Sequence, residues 1–138
     1  MTKTGLVLVC LLASTTIALA AAGTAQQVLG QYGAQAKAAD ASFAGFSAAR
    51  GKTFFLAQWT TGKPDTTSCS QCHTKDPTQF GHTRAGKEIK PMALSKTPDR
   101  FSDIEKTEKW FARNCDTVIG RACTPTEKGD FISFMVSQ

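Results

Sequence analysis

No apolar run in this sequence is long enough to cross a bilayer. A spanning helix needs roughly 20 apolar residues, and the longest candidate, Gly5 to Leu19, falls short of that. Charge of one sign is also scarce. The formal net charge is +5 over 138 residues, a mild excess that argues against a nucleic-acid binder. No segment repeats, and no stretch alternates convincingly enough to read as a strand. Histidine and methionine are few, with 2 and 3 copies, so a metal held through imidazole or thioether has a short roster of donors.

What is present begins with a leader. A positive charge at Lys3, the short apolar run, and small residues from Ala18 to Ala22 with an Ala-x-Ala pattern read as a secretory signal peptide over residues 1–22. Cys10 falls inside that run and goes with it. The remainder, 23–138, is long enough for one domain with a modest core. Export places it in the periplasm, not embedded in the membrane once the leader is cleaved.

Helix signals dominate the rest. Ala25 to Ala39 is rich in Ala and Gln, with Val28, Leu29 and Tyr32 spaced along one face. Ser47 to Trp59, carrying Phe54, Phe55 and Trp59, reads as a second helix. Thr60 to Ser68 is a loop. From Thr74 to Arg100, Pro77, Gly81, Gly86, Pro91 and Pro98 break every period, which predicts a long irregular wrap with a functional cause, such as packing on a prosthetic group. Ser102-Asp103-Ile104-Glu105 has the capping-box pattern and opens a helix predicted to carry Ile104, Trp110 and Phe111 to about Arg113. Thr124-Pro125-Thr126-Glu127 opens another, with Phe131, Phe134 and Met135 on its apolar face. The class is all-α, four to five helices.

Cys69-Ser70-Gln71-Cys72-His73 is C-x-x-C-H, the attachment signature of c-type haem. One helical turn presents two thiols to one porphyrin edge, and the following His reaches the iron. A thioredoxin-like motif would need a βαβ setting, which is absent. A zinc site would have to recruit Cys115, Cys123 or His82 at spacings unlike those of paired arrays. The reading is therefore one covalent haem c on Cys69 and Cys72, with His73 as proximal ligand. In an oxidising compartment Cys115 and Cys123 are expected to form a disulfide.

The other axial position decides the chemistry. Its candidates are His82, Met92, Asn114 and Met135. On chemistry alone Met92 leads, because a soft thioether after Pro91 closes the site and favours ferrous iron. His82 is on a short tether from His73, and Met135 falls on an apolar helix face. Arg84, Lys87 and Arg100 are candidate partners for the haem propionates.

From Gly51 onward the sequence resembles the sphaeroides haem protein (SHP) family of cytochromes c, to which bis-histidine cytochrome c double-prime is related. The resemblance rests on Gly62-Lys63-Pro64-Asp65, the haem motif, Thr83 to Ile89, Thr97 to Phe101, and Glu108 to Cys115 running on through Val118-Ile119-Gly120-Arg121 to Cys123-Thr124-Pro125. It implies a cytochrome c fold in which the first and last helices pack together and the irregular middle encloses the haem. It also implies that Asn114, just before the first disulfide cysteine, is the distal ligand of the oxidised state, held on a loop tethered by the Cys115–Cys123 bridge. At Met92 the family usually has Leu, which leaves Met92 as a competitor for the iron.

A weak, hard amide oxygen suits ferric iron, so reduction is expected to release Asn114 and open the site to O2, NO or CO. The expected function is electron transfer with redox-gated binding of diatomic ligands, a carrier rather than an enzyme. Its expected partners are a dihaem cytochrome c or a membrane cytochrome b. The alternatives are a plain His/Met electron shuttle, and slow turnover of oxygen, NO or nitroxides.

Overall fold

The computed structural model describes residues 24–138, so the predicted leader lies outside the described residues. Among the described residues five helices occur in chain order: α1 (Ala25–Ala39), α2 (Ala48–Leu56), the single turn α3 (Ser70–His73), α4 (Ile104–Ile119) and α5 (Pro125–Val136). Between α3 and α4 lies a two-residue antiparallel ribbon, β1 (Gly81–His82) against β2 (Glu88–Ile89), with Gly81 opposite Ile89. That ribbon corrects the expectation of no strand. It is too short for any alternation to show in the sequence, and its β-turn is closed by the Gly86 and Lys87 amides donating to Thr83. Among the described residues no helix is long and apolar enough to cross a membrane.

α1 starts at a full capping box. Thr24 accepts from the Gln27 amide, and the Gln27 side chain accepts in return from the Thr24 amide. It buries Ala25, Val28, Tyr32 and Ala36, spaced at the three- and four-residue steps of one helix face. α5 repeats the device with Thr124 and Glu127, and Pro125 in its first turn needs no hydrogen bond there. α5 is the central element, packed against α2 most extensively and against α1 next.

Phe131 on α5 is the hub of the core. Its ring meets Phe55, Phe101 and Phe111 edge-on, at centroid distances of 5.9, 6.0 and 5.5 Å. Tyr32, Phe55, Ile132 and Met135 are fully buried around it. Burying a side chain of this size is worth about 1.5–3 kcal/mol relative to leaving it in water.

The closeness of α2 to α5 depends on backbone contact. A β-carbon at Gly51 would sit 1.9 Å from the Asp130 carbonyl oxygen. The Asp130 side chain, almost wholly buried, accepts from the Ser47 amide at 2.6 Å and from Arg50 through Nε and Nη2. One carboxylate thereby satisfies the N-terminal turn of α2 and fixes its angle to α5.

Three helix boundaries differ from expectation. α2 stops at Leu56, before Trp59, because the chain turns away there and the Trp59 amide pairs with the Thr67 carbonyl. α4 is capped by Asp103, whose carboxylate accepts from the Lys106 amide, while Ser102 donates to the Asp99 carbonyl instead. The helix then runs on past Arg113 to Ile119 and ends at Gly120 in the left-handed region, φ 76. Its buried stripe is Thr107, Phe111, Cys115, Val118 and Ile119. Trp110 stays half exposed, stacked under the Arg113 guanidinium.

Candidate functional site

The haem motif is held as one turn of helix by its neighbours' side chains. Ser68, buried just ahead of it, donates to the Phe55 carbonyl and shares a hydrogen bond with Ser70. The Gln71 side chain spans back, accepting from the Thr67 amide and donating to the Asp65 carbonyl. From the other side Gly81 on β1 presses against the turn. A β-carbon there would be 2.1 Å from the Cys72 carbonyl oxygen and 2.9 Å from the His73 Cα. α3 is thus clamped between the end of α2 and the ribbon.

Cys69 and Cys72 are free thiols, spaced by that turn. Burial pushes the Cys69 thiol up to about 11, so it is protonated. A dithiol oxidoreductase needs the opposite, a depressed thiol pKa. His73 is driven down to about 4 by burial and then by the positive charge of Arg100, so its ring is neutral. Its Nδ1 is buried among protein atoms without a hydrogen-bond partner, which leaves Nε2 as the nitrogen able to bind a metal. A neutral imidazole beside two free cysteines fits haem attachment. A bare zinc ion fits poorly: Cys115 and Cys123 are tied to each other, and among the described residues no group of three or more His, Cys, Asp or Glu is arranged to hold a metal.

The remaining expected residues are scattered around this turn. Met92 is buried and belongs to the main hydrophobic cluster, its amide donating to the Pro77 carbonyl at 2.8 Å. Met135 is buried in α5, and His82 is exposed on the ribbon. Arg84 is paired with Asp65 on the surface, a type of ion pair worth about 0–1 kcal/mol. Lys87 is exposed. Arg100 donates through Nε to the Pro91 carbonyl at 2.6 Å and through Nη2 to that of Lys90.

Asn114 is in the body of α4, and not on a loop as expected. Helical geometry puts it one turn beyond Trp110, on the exposed side, and its amide makes no hydrogen bond among the described residues. Cys115, next to it, faces inward and is disulfide-bonded to Cys123, with Cα atoms 5.7 Å apart. The loop leading to the haem motif docks on the following turn of the same helix. There the Lys63 amide donates to the Thr117 carbonyl at 2.7 Å, and the Thr61 hydroxyl donates to that of Ile119. The end of α4 and the approach to Cys69 are therefore tied to each other.

Among the described residues two other than glycine have positive φ, Thr74 (φ 61) and Phe101 (φ 58). One directly follows His73 and the other directly follows Arg100. Such a conformation costs roughly 1–2 kcal/mol in a residue with a β-carbon, and it persists where the surroundings impose it. Sequence inspection found neither. It also passed over Gly81 as a contact residue, although a glycine inside a two-residue strand is a signal of close backbone approach.

Comparison with known proteins bears on the same residues. The chain is 49% identical over 114 residues to the cytochrome c-type protein SHP of Cereibacter sphaeroides, covering 83% of each. The chain belongs to the SHP family of c-type cytochromes. It is also 33% identical over 122 residues to cytochrome c'' of Methylophilus methylotrophus, covering 88% of this chain and 85% of that one. Residues 41–135 match a family described as a domain of unknown function (DUF1924).

Solved structures agree with the sequence relatives. The structure of oxidized SHP, described as an oxygen binding cytochrome c, matches with a TM-score of 0.77 at 47% identity, covering 84% of this chain and 98% of that one. The crystal structure of oxidized cytochrome c'' matches with a TM-score of 0.73 at 32% identity, covering 83% and 94%. The expected all-α cytochrome fold is therefore the one found, and membership in this family implies a haem c cofactor.

Proposed function

We propose that this chain is an exported, periplasmic monohaem cytochrome that transfers electrons and, when reduced, binds a small diatomic ligand such as O2, NO or CO. Cys69 and Cys72 hold the haem covalently, His73 is its proximal ligand, and Asn114 is the distal ligand of the oxidised state. When bound, the haem would supply a one-electron couple and an iron able to take a small ligand, with Cys69, Cys72, His73 and Asn114 as the residues that would hold it.

The protein's part follows from the side chains. His73 enters as a neutral imidazole with Nε2 available. Asn114 offers an amide oxygen that nothing else in the described protein engages, and Met92 is packed into the hydrophobic cluster. A neutral oxygen donor suits ferric iron better than ferrous iron, so the Asn114 amide would hold an oxidised iron and would hold a reduced one less firmly. The disulfide next to Asn114 restrains the end of α4, so that what moves is a side chain rather than the helix.

The observation that carries this reading is the uncommitted Asn114 amide in a chain whose solved relative is described as binding oxygen. Of the cations expected near the haem carboxylates, Arg84 is engaged by Asp65, while Lys87 and Arg100 retain free donors. A dihaem cytochrome c or a membrane cytochrome b is the proposed electron donor.

Ferric and ferrous spectra with and without CO test the assignment in wild type, Asn114→Ala and Met92→Leu. The wild type should become high-spin on reduction and take up CO. Asn114→Ala should alter the ferric spectrum, and Met92→Leu should resemble wild type. A ferrous wild type that stays six-coordinate and ignores CO, and that Met92→Leu converts to a CO binder, would replace this reading with a closed His/Met electron carrier.

A further inference from the structure

Among the described residues only two large apolar side chains are exposed, Phe80 and Trp110. A single apolar residue at a surface needs no explanation, so position decides whether either carries meaning. Trp110 has a neighbour that singles it out. It stands four residues, one helical turn, before Asn114 on α4, and that spacing sets two side chains next to each other with β-carbons about 5–6 Å apart. Among the described residues the Asn114 amide makes no hydrogen bond, and Trp110 is 49% exposed.

Trp110, Asn114 and Thr117 follow the spacing of one helix face. That face flanks the buried stripe of Thr107, Phe111, Cys115 and Val118, so it lies between core and solvent. Its far end is covered. The Lys63 amide donates to the Thr117 carbonyl at 2.7 Å, and a β-carbon at Gly62 would lie 2.5 Å from the same oxygen. The chain that makes this contact runs on to Cys69, and Gln71 bonds back to its Asp65 carbonyl and Thr67 amide, so the haem turn is tied to the covered end. Trp110 and Asn114 are the uncovered remainder of the face, one apolar and one offering an amide oxygen. A flat apolar group with a metal at its centre matches that pair, whereas solvent matches only the amide. The exposed Arg113 guanidinium, 5.7 Å from the indole centroid, takes up one side of the ring and limits its swing.

We propose that Trp110 roofs the distal side of the haem held by Cys69, Cys72 and His73, and that its indole limits the ligands of the iron to diatomic size. The inference rests on the reading above in which Asn114 is the distal residue. It adds a specificity-determining side chain that is not itself a ligand. A diatomic molecule ends at its second atom and fits beside an indole one turn from the axial residue. A molecule with an alkyl tail must displace the ring, so the penalty falls on size and not on the strength of the donor atom.

The test compares the ferrous holoprotein's affinity for CO and for butyl isocyanide, which also binds iron through carbon but carries an alkyl tail, in wild type, Trp110→Ala and Trp110→Phe. Trp110→Ala should raise isocyanide affinity relative to CO by about tenfold or more, with Trp110→Phe in between, while CO affinity stays within about threefold of wild type. A role confined to helix packing would move both ligands together. Hydroxyl-radical footprinting of the wild-type holoprotein reads the same contact with no variant to fold and no added ligand. By exposure alone Trp110, at 49%, should be oxidised faster than the partly buried Trp59. Covered by the haem, it should be oxidised more slowly.

Either of two results overturns the proposal: an isocyanide-to-CO ratio that is unchanged in Trp110→Ala, or a Trp110 that is oxidised faster than Trp59 in the holoprotein. A ferrous wild type that binds neither ligand overturns the distal reading as well. A wild type that takes up CO, with a ratio indifferent to Trp110, sinks this inference alone.

Discussion

The helical frame of α1, α2 and α5 and the irregular stretch between α2 and α4 are built by different means. In the frame, apolar side chains recur at helical spacing, caps close the ends, and rings pack on Phe131. In the stretch from Ala57 to Asp103 the order comes from backbone carbonyls. Those of Pro77 and Pro91 each accept two or more hydrogen bonds, and those of Thr117 and Ile119 anchor the loop before the haem motif. The frame stores its stability in buried area, and the site depends on a handful of main-chain positions that a prosthetic group can pack against. Small changes in the two regions should therefore fail differently.

The sharpest way to break that comparison is to add the same methyl group to each region. Gly51→Ala forces a β-carbon to within 1.9 Å of the Asp130 carbonyl oxygen and must separate α2 from α5. Overpacking of this kind typically costs 1–3 kcal/mol and occasionally more; with backbone on both sides, a loss of about 3 kcal/mol is expected in urea denaturation. Gly81→Ala drives its β-carbon into the Cys72 carbonyl. Here the helices should persist by far-UV circular dichroism while the yield of covalently attached haem collapses. Equal loss of helix in both variants would show that ribbon and frame are one cooperative unit.

The disulfide sits where the two regions meet, between the last turns of α4 and the cap of α5. Replacing both Cys115 and Cys123 by Ser removes a crosslink closing a short loop, which on the chain-entropy model lowers stability by about 2–3 kcal/mol. Since the same crosslink restrains the end of α4 beside Asn114, the double variant should also broaden the ferric spectrum. A stability loss with an unchanged ferric spectrum would confine the bridge to the frame.

Legibility in the sequence followed the same division. α1 could be read because composition and the spacing of Val28, Leu29 and Tyr32 agree, and α5 because cap and periodicity agree at Thr124, Pro125 and Glu127, whereas the Thr24–Gln27 capping box of α1 emerged only in the structure. Cys69, Cys72 and His73 could be read because the spacing of the motif has a mechanical cause. Gly81 and the left-handed Thr74 and Phe101 could not, because close approach and backbone strain depend on which distant carbonyl arrives, and that is a tertiary fact. The loop expected at Asn114 comes from the family resemblance, and a helix read only to about Arg113 agrees with it. Cys115, Val118 and Ile119 continue the apolar stripe of α4, and counting the disulfide cysteine as a buried apolar residue would have carried the helix to Gly120.

The start of α4 offers the smallest and cleanest contrast, because sequence pattern and structure name adjacent residues as the cap. Ser102 satisfies the capping-box pattern with Glu105, yet its hydroxyl is spent on the Asp99 carbonyl, in the turn that the left-handed Phe101 creates. That turn advances the helix by one residue, so the Asp103 carboxylate receives the Lys106 amide at 3.0 Å and also places a negative charge at the positive end of the helix. Asp103→Ala should therefore cost about 1 kcal/mol in urea denaturation. Ser102→Ala, losing a solvent-exposed turn bond, should stay within about 0.5 kcal/mol of wild type. Reversal of that order would mean that the helix begins at Ser102 after all and that Phe101 need not be left-handed.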